Sequence, residues 1–205
     1  MELLYGGKFM DLRDSKTKIN LLKAFAGESQ ARNRYDMAAE KAKKEGLYII
    51  ERLFKYTADQ ERAHAETFFS KLKDFGGSNI DVNNATYPID GDYSTLQYLK
   101  SAAHNEFQEH DVVYKEFAEI AKSEGFLDIA ILFENVASIE KIHAERFERY
   151  ATELENSTLF KKDMDAKWMC TNCGYIYEGK EPPKHCPVCE KPQGYALLFK
   201  NSLFE

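Results

Sequence analysis

The first three quarters of the chain carry apolar residues at steps of three and four, the spacing of amphipathic helices. A first helix is predicted to begin at Ser15 and to end at Gly46, since glycine is common just after helix ends. A second helix is predicted over residues 47–75, followed by Gly76 and Gly77. The apolar residues on the inward faces of these helices are Leu21, Leu22, Phe25, Ala31, Tyr35, Ala38, Leu53, Phe54, Phe68 and Leu72.

Two further helices follow a polar loop over residues 78–93. The third is predicted from the N-cap residue Ser94 to Gly125, and the fourth from residue 126 to about residue 156. Helices of about 30 residues are roughly 45 Å long, which suits a bundle. A long loop inside a four-helix domain favours a crossover between parallel-running helices over a short hairpin.

The composition changes after residue 156. Residues 167–205 contain all four Cys, the single Trp and four of the five Pro. This segment is too short to build a core unaided, so it needs a metal or covalent links. The predicted domains are therefore a helical bundle over residues 1–156, a linker over 157–166 and a small metal-bound domain over 167–205.

Charge and hydropathy exclude several classes of protein. The net charge is −6 without a basic run, so nucleic acid is not an expected partner. The chain has no run of 18 apolar residues, and residues 1–20 lack the apolar core of a secretory signal, so neither a membrane nor export is expected. Four clustered Cys in such a chain favour a metal site in a cytoplasmic protein over a disulfide framework.

The two halves of the helical region share an internal repeat of charged residues. Gly46 lies 15 residues before Glu61, and Gly125 lies 15 residues before Glu140. Glu28 precedes Gly46 by 18 residues, whereas Glu106 precedes Gly125 by 19. The extra residue predicts a π-bulge in the third helix. The alternative to a true repeat is that the two helix pairs resemble each other only in composition. The repeated residues are Glu28, Gly46, Glu61 and His64 in the first half and Glu106, Gly125, Glu140 and His143 in the second.

The repeated Glu and His residues have the spacing of a two-metal site. Glu61 and His64 lie three residues apart and so share a helix face, as do Glu140 and His143. One Glu from each of two helices plus Glu-x-x-His from each of two others is the ligand set of di-iron and di-manganese carboxylate bundles. A bound cation also offsets the cost of burying these groups. The alternative is that His64 and His143 are ordinary helix residues, hydrogen-bonded or exposed, that bind no metal.

Three further residues of the third helix are less decisive. Glu109 lies three residues after Glu106, but the matching position of the first half is Ala31, so a solvated surface glutamate is the alternative. His104 and His110 are expected to lie outside the site, because a full ligand set exists without them.

The pairs Cys170-x-x-Cys173 and Cys186-x-x-Cys189 supply four thiolates, which can bind one metal tetrahedrally. Iron and zinc both accept this ligand set. Zinc is redox-inert, so the metal decides whether the small domain carries electrons or has only a structural role.

These motifs together resemble the rubrerythrin family. The resemblance covers nearly the whole chain and rests on Ala26-Gly27-Glu28-Ser29-Gln30-Ala31-Arg32, Glu61-x-x-His64, Glu106-x-x-Glu109 and Glu140-x-x-His143, followed by the Cys-x-x-Cys module. It implies an all-α, ferritin-like four-helix bundle followed by a rubredoxin-like β-ribbon domain. It also implies that two irons are bound by Glu28, Glu61, His64, Glu106, Glu109, Glu140 and His143, with Glu61 and Glu140 bridging them.

The resemblance also implies roles in catalysis. One iron would be bound by Glu109 when oxidised and by His64 when reduced. Tyr35 and Tyr114 would hydrogen-bond ligand carboxylates and orient them, with plain core packing as the alternative for both phenols. His64, Glu109, Tyr35 and Tyr114 are therefore the expected catalytic residues.

The small domain resembles rubredoxin, in which Gly and Pro shape two turns so that backbone amides point at sulfur and tune the iron. The relevant residues are Gly174 and Tyr175 after Cys173, Pro187 after Cys186, and an aromatic shell of Trp168, Tyr175, Tyr177 and Phe199. Glu190 departs from the pattern, since rubredoxins usually have Gly after the last Cys. The resemblance favours one iron on Cys170, Cys173, Cys186 and Cys189, with zinc as a substitute.

The resemblance implies a peroxidase that reduces hydrogen peroxide to water at the di-iron site. Electrons would come from NAD(P)H through a separate reductase or a rubredoxin, and would reach the di-iron site from the four-cysteine iron of another subunit in a head-to-tail homodimer or higher homo-oligomer. The chain lacks Gly-x-Gly-x-x-Gly, so it is not expected to bind the nicotinamide itself. A ferroxidase or iron-storage bundle and a zinc-ribbon interaction protein are the alternatives.

Overall fold

The computed structural model describes residues 10–202, which form a mostly helical protein with a small C-terminal sheet. The third predicted helix is continuous but contains a π-helical turn, so it is divided into α3, the π segment and α4. The elements are α1 (Lys16–Lys44), α2 (Tyr48–Ser70), α3 (Thr95–Gln108), the π segment (Glu109–Val113), α4 (Tyr114–Glu124), α5 (Leu127–Glu155), β1 (Ala166–Cys170), β2 (Ile176–Gly179) and β3 (Ala196–Leu198).

The contacts within the chain define two compact units, each built from three separate segments. The first unit comprises Met1–Ala31, Gln60–Pro88 and His104–Ala144, and the second comprises Arg32–Asp59, Ile89–Ala103 and Glu145–Glu205. The domain boundaries expected from composition, 1–156, 157–166 and 167–205, stay a prediction.

The first unit has an aromatic core supplied by several helices. Phe133 of α5 lies 5.3 Å from Phe68 of α2 and 5.9 Å from Tyr114 of α4, measured between ring centroids. All three rings are almost fully buried, and Leu21 of α1 belongs to the same cluster. Four helices thus bury their apolar faces against one another, which is the packing expected of a bundle.

The second unit contains a smaller ring cluster and the sheet. Tyr35 of α1 packs against Phe54 of α2 at 5.9 Å and against Phe147 of α5 at 5.2 Å. The three antiparallel strands have the order β2-β1-β3. Trp168 of β1 is buried, and its Nε1 donates a hydrogen bond to the carbonyl of Gly179 at 2.9 Å. The predicted fold class, a four-helix bundle with a small C-terminal β domain, is confirmed.

The sheet domain is fastened to the ends of α1 and α2. Tyr195 stacks on Tyr48 with ring centroids 4.2 Å apart. Gly194 approaches the α1–α2 turn so closely that a Cβ atom would lie 1.8 Å from the carbonyl oxygen of Gly46. Only glycine fits at position 194, directly beside the stacked Tyr195.

Hydrogen bonds at the helix ends support the predictions made for Ser94, Ser15 and Gly125. Ser94 accepts from the N–H of Gln97 at 3.3 Å while Gln97 accepts from the N–H of Ser94 at 2.9 Å, a reciprocal N-terminal cap. Ser15 caps α1 through Lys18, and Gly125 ends α4 with φ of 90°.

The second helix ends earlier than predicted. It stops at Ser70, and a separate 3₁₀ turn spans Lys73–Phe75. The N–H groups of Lys71 and Leu72 bond to carbonyls only three residues back, so the last turn tightens while Leu72 stays buried. Apolar periodicity continues through this tightened turn, which is why the sequence pattern extended the helix to residue 75.

The π-bulge predicted in the third helix is confirmed, at Glu109–Val113. It accommodates the one residue by which the second half of the repeat exceeds the first. In the described part of the chain, no helix combines the length and the apolar character that crossing a membrane requires.

Glu124 links the end of α4 to the start of α1. Its Oε1 accepts from the N–H of Lys16 at 2.9 Å, and its Oε2 accepts from the N–H and hydroxyl of Thr17 at 2.9 and 2.6 Å. Burial raises the pKa of Glu124, but the bonds from Thr17 and Lys16 outweigh burial and lower it.

We expect Glu124→Ala to lower the free energy of unfolding by about 1 kcal/mol, or roughly 2–4 °C in Tm, because it removes an N-terminal cap. A carboxyl with a lowered pKa stabilises the fold above its unfolded pKa and loses that effect as pH falls, so the difference should shrink on acidification. Thermal melts at neutral and acidic pH measure both. The matched control is Glu119→Ala on the exposed face of α4; equal losses in the two variants would contradict the capping role.

Candidate metal centres

Two groups of buried donors lie in the interior of the first unit. Glu28, Glu61, His64 and Glu140 offer ligand atoms within 4.8 Å of one another, and so do Glu61, Glu106, Glu140 and His143. Glu61 and Glu140 belong to both groups. All six side chains are buried, and they come from α1, α2, α3 and α5. Two shared carboxylates between two histidine-containing groups are the arrangement of a carboxylate-bridged two-metal site.

The donor atoms of these groups point toward shared positions, and only some of them form hydrogen bonds, as Nδ1 of His64 does with Oε2 of Glu61 at 3.2 Å. Nδ1 of His143 lies 2.8 Å from Oε2 of Glu140 and 3.0 Å from Oε1 of Glu61. Nδ1 of His64 lies 3.0 Å from Oε1 of Glu140. Yet several of these atoms have no hydrogen bond of acceptable geometry within residues 10–202. They are both oxygens of Glu140, Oε1 of Glu61, Oε2 of Glu28 and Nδ1 of His143.

Such bare polar atoms each cost about 1–3 kcal/mol when buried. A metal ion placed among them removes this cost by using the same lone pairs as ligands. Carboxylate and imidazole donors suit iron, so the residues present fit the two-iron cofactor that the sequence suggests.

Protonation compensates the buried charge when no cation is bound. Burial raises the pKa of Glu28 and Glu106, and neighbouring carboxylates raise both further. Burial lowers the pKa of His143, but Glu106, Glu140 and Glu61 outweigh it and raise this pKa to about 12. Without a metal, protonated histidine therefore supplies positive charge that balances the carboxylates, and metal binding must displace its proton.

Two residues outside the donor groups orient them. The hydroxyl of Tyr114 donates a hydrogen bond to Oε1 of Glu28, as the sequence suggested. Nε2 of His143 lies 3.1 Å from Oε1 of Gln60, which fixes the ring so that Nδ1 faces the carboxylates. Sequence analysis missed Gln60, because its partner lies 83 residues away and no repeat or motif marks the pair.

Other expected residues lie outside the two groups. Glu109 is the first residue of the π segment and is half-buried; it lines a cavity with Tyr114. Tyr35 is buried in the second unit among aromatic rings. His104 is exposed, and His110 points its Nδ1 at the carbonyl of Ala137 at 2.7 Å, so neither joins the donors. The catalytic roles of Glu109 and Tyr35 stay predictions.

The four cysteines form a third donor group, in the second unit. Their sulfurs all lie within 4.8 Å of one another, with 3.7 Å between Cys170 and Cys189 and 3.6 Å between Cys173 and Cys186. None of the four forms a disulfide. This is the ligand set of one tetrahedral metal.

The two turns that carry the cysteines have matching geometry. The N–H of Gly174 donates to the carbonyl of Cys170 at 2.8 Å, and the N–H of Glu190 donates to that of Cys186 at 2.9 Å. Both residues are left-handed, with φ of 77° for Gly174 and 59° for Glu190. Glu190 therefore adopts the left-handed conformation that Gly174 adopts in the other turn. Its Cβ atom makes this conformation about 1 kcal/mol less favourable than it is for glycine.

Backbone amides point at the sulfurs, as expected from the sequence. The N–H of Lys191 outweighs burial and lowers the pKa of Cys189 to about 6. The aromatic shell is less complete: Trp168 is buried, but Tyr175 and Tyr177 are each 37% exposed. The donor set and its amides fit the thiolate-bound iron of a rubredoxin-like domain.

Comparison with known proteins identifies two matching sequence families. The rubrerythrin profile matches residues 20–151 and, separately, 97–168, and the profile of the rubrerythrin rubredoxin-like domain matches residues 168–195. Rubrerythrin-1 of Clostridium acetobutylicum is 44% identical over 93% of this chain and 98% of its own length. Rubrerythrin of Clostridium perfringens is 42% identical over 93% of this chain and 98% of its own.

Solved structures show the same architecture. A mixed-valence structure of nigerythrin matches 97% of this chain and 96% of its own with a TM-score of 0.60 and 27% identity. A bacterioferritin from Desulfovibrio desulfuricans matches 73% of this chain and 86% of its own with a TM-score of 0.63 and 23% identity, a likeness of fold alone.

We expect Gln60→Ala to weaken metal retention by about 10–100-fold, because the ring of His143 loses the acceptor that orients it. Iron release to a chelator, followed by absorbance, measures the effect without reference to activity. Asp59→Ala, at the exposed neighbouring position, is the control, and Gln60→Glu should retain iron because it keeps an acceptor. Equal release rates in Gln60→Ala and the unaltered chain would rule out this positioning role.

Proposed function

Because the chain belongs to the rubrerythrin family, we propose that it is a non-haem di-iron peroxidase that reduces hydrogen peroxide to water. The observation that carries the proposal is the pair of buried donor groups that share Glu61 and Glu140. Two ferrous ions held there would supply the two electrons that cleavage of the O–O bond requires.

The protein's own contribution is to hold and orient the donors. We propose the full ligand set to be Glu28, Glu61, His64, Glu106, Glu109, Glu140 and His143. His64 lies among the donors and Glu109 does not, which is the arrangement that the sequence resemblance assigns to the reduced site. An exchange between these two ligands would open one coordination position and close it again.

Tyr114 and Glu109 place polar groups beside the donors. The phenol of Tyr114 is already bonded to Glu28, so it holds that carboxylate in one orientation. Glu109 borders a cavity of about 610 Å³ together with Tyr114. Tyr35, buried among rings, is proposed to act on the same ligands.

The four-cysteine iron is proposed to return electrons one at a time. The match of residues 168–195 to the rubrerythrin rubredoxin-like domain supports iron at this position. The electrons would come from an NAD(P)H-dependent reductase or a rubredoxin. From the family resemblance we also propose a head-to-tail homodimer or higher oligomer, and from the clustered cysteines a cytoplasmic location.

The decisive experiment couples peroxide consumption to NADH. With a reductase supplied, the red, iron-loaded protein should consume NADH and hydrogen peroxide in a one-to-one ratio, because two electrons reduce one peroxide. Absorbance at the NADH band and a peroxide assay give both amounts. Oxygen consumed far faster than peroxide would instead indicate a ferroxidase, and a colourless protein with one zinc would indicate a structural small domain.

Cys170→Ser separates electron delivery from the di-iron chemistry. The variant should lose NADH-coupled turnover but still be oxidised by peroxide after chemical reduction, because Cys170 lies in a different donor group from Glu61 and Glu140. Loss of both would point to a folding defect, which circular dichroism detects. Persistence of NADH-coupled turnover would show that electrons do not enter through the four-cysteine centre.

A further inference from the structure

A positively charged cavity of about 440 Å³ lies between α2, α5 and the sheet, within the second unit. Arg52 of α2 and Arg146 and Arg149 of α5 contribute to its lining. In the part of the chain that the structure describes, no Asp or Glu lines it. The chain as a whole carries −6, so a concave surface with three guanidinium groups is an exception that favours an anion.

All three arginines lie over aromatic rings, with the Cζ of Arg52 5.9 Å from the ring centroid of Tyr195. The Cζ of Arg146 lies 5.4 Å from the ring centroid of Tyr56, and the Cζ of Arg149 lies 4.9 Å from that of Tyr150. Such cation–π contacts hold a planar guanidinium in one orientation. A ligand that binds to them loses less freedom on binding, because the groups are already ordered.

The third arginine connects the cavity to the four-cysteine module. Nη1 of Arg52 donates to the carbonyl oxygen of Thr171 at 2.7 Å. Thr171 directly follows Cys170, and Met169 directly precedes it; both line the cavity. A ligand bound here would therefore lie against the strand that supplies one of the four thiolates.

Two acids on the same helices are paired with lysines. Glu51 pairs with a lysine at 2.7 Å, and Glu153 pairs with another at 3.1 Å. Over residues 10–202, no ion pair within 4.0 Å involves Arg52 or Arg149. Their remaining N–H groups are available to a bound anion.

The rest of the lining is apolar or aromatic and suits an organic group. Ile49 and Leu53 of α2 face it from one side, and Met169 and Leu197 of the sheet from the other. A free inorganic anion would leave these side chains uncovered. An uncharged organic molecule would make no charged contact with Arg52 or Arg149.

We propose that this cavity binds a phosphorylated nucleoside, with its phosphates on Arg52 and Arg149 and its planar base against the apolar lining. Guanidinium groups bind phosphate oxygens in pairs, and the volume lies within the range of small-molecule sites. This mode uses arginines on helix sides and differs from the glycine-rich loop of dinucleotide-binding folds. The site is independent of the peroxidase proposal.

The test is titration calorimetry of the iron-loaded full chain with ADP. One ADP should bind per chain, with an affinity that falls as salt is added. Arg52→Gln and Arg149→Gln should each weaken binding about tenfold or more, because each removes a charge-assisted contact. Lys55→Gln, an exposed cation on α2 outside the cavity, should leave the affinity unchanged.

Comparison ligands distinguish the components of the site. Inorganic phosphate and adenosine should each bind far more weakly than ADP. The proposal is overturned if ADP does not bind at millimolar concentration, if phosphate alone binds as well as ADP, or if the arginine variants bind like the unaltered chain. Binding of an acidic electron-transfer protein that is lost in the same variants, without ADP binding, would instead identify a protein docking site.

Discussion

Compensation of buried negative charge is the constraint on which the helical part of this protein depends. Glu28, Glu61, Glu106 and Glu140 are each 1% exposed or less, and four ionised carboxylates cannot remain together in a low-dielectric interior without cations. Two Fe²⁺ ions would balance these four charges and leave the histidines neutral. The long helices make this possible, because the donors come from four separate helices that must be held at fixed positions relative to one another.

Much of this arrangement follows from sequence spacing. The repeat of Glu and Glu-x-x-His could be recognised because charged residues on otherwise apolar helix faces are conspicuous, and the count of residues between Glu and Gly was sufficient to predict the π turn. Ser94 and Gly125 marked helix ends because capping is local chemistry that depends on neighbours within four residues. The early end of α2 was missed, since apolar periodicity does not distinguish an α turn from a 3₁₀ turn.

Features that depend on distant pairs could not be predicted. Gln60 orients His143 across 83 residues, and Glu124 caps α1 across more than 100. The arginine-lined cavity combines α2, α5 and the sheet, and each arginine alone resembles a surface cation. Sequence periodicity indicates which face of a helix is buried, but it does not indicate which residues meet across the interior. Contacts of this kind become visible only once the helices are placed.

The π segment has a consequence for how the third helix tolerates change. Each residue added to a helix turns everything after it by about 100°, and the wide turn at Glu109–Val113 absorbs one such step. Tyr114 follows immediately, and its ring is part of the aromatic core while its hydroxyl reaches Glu28. Deleting one residue from this turn would convert it into a regular α turn and leave Tyr114 facing both. A further one-residue insertion would have no such turn left to absorb it, and would rotate Tyr114 away from the core and the donor site together.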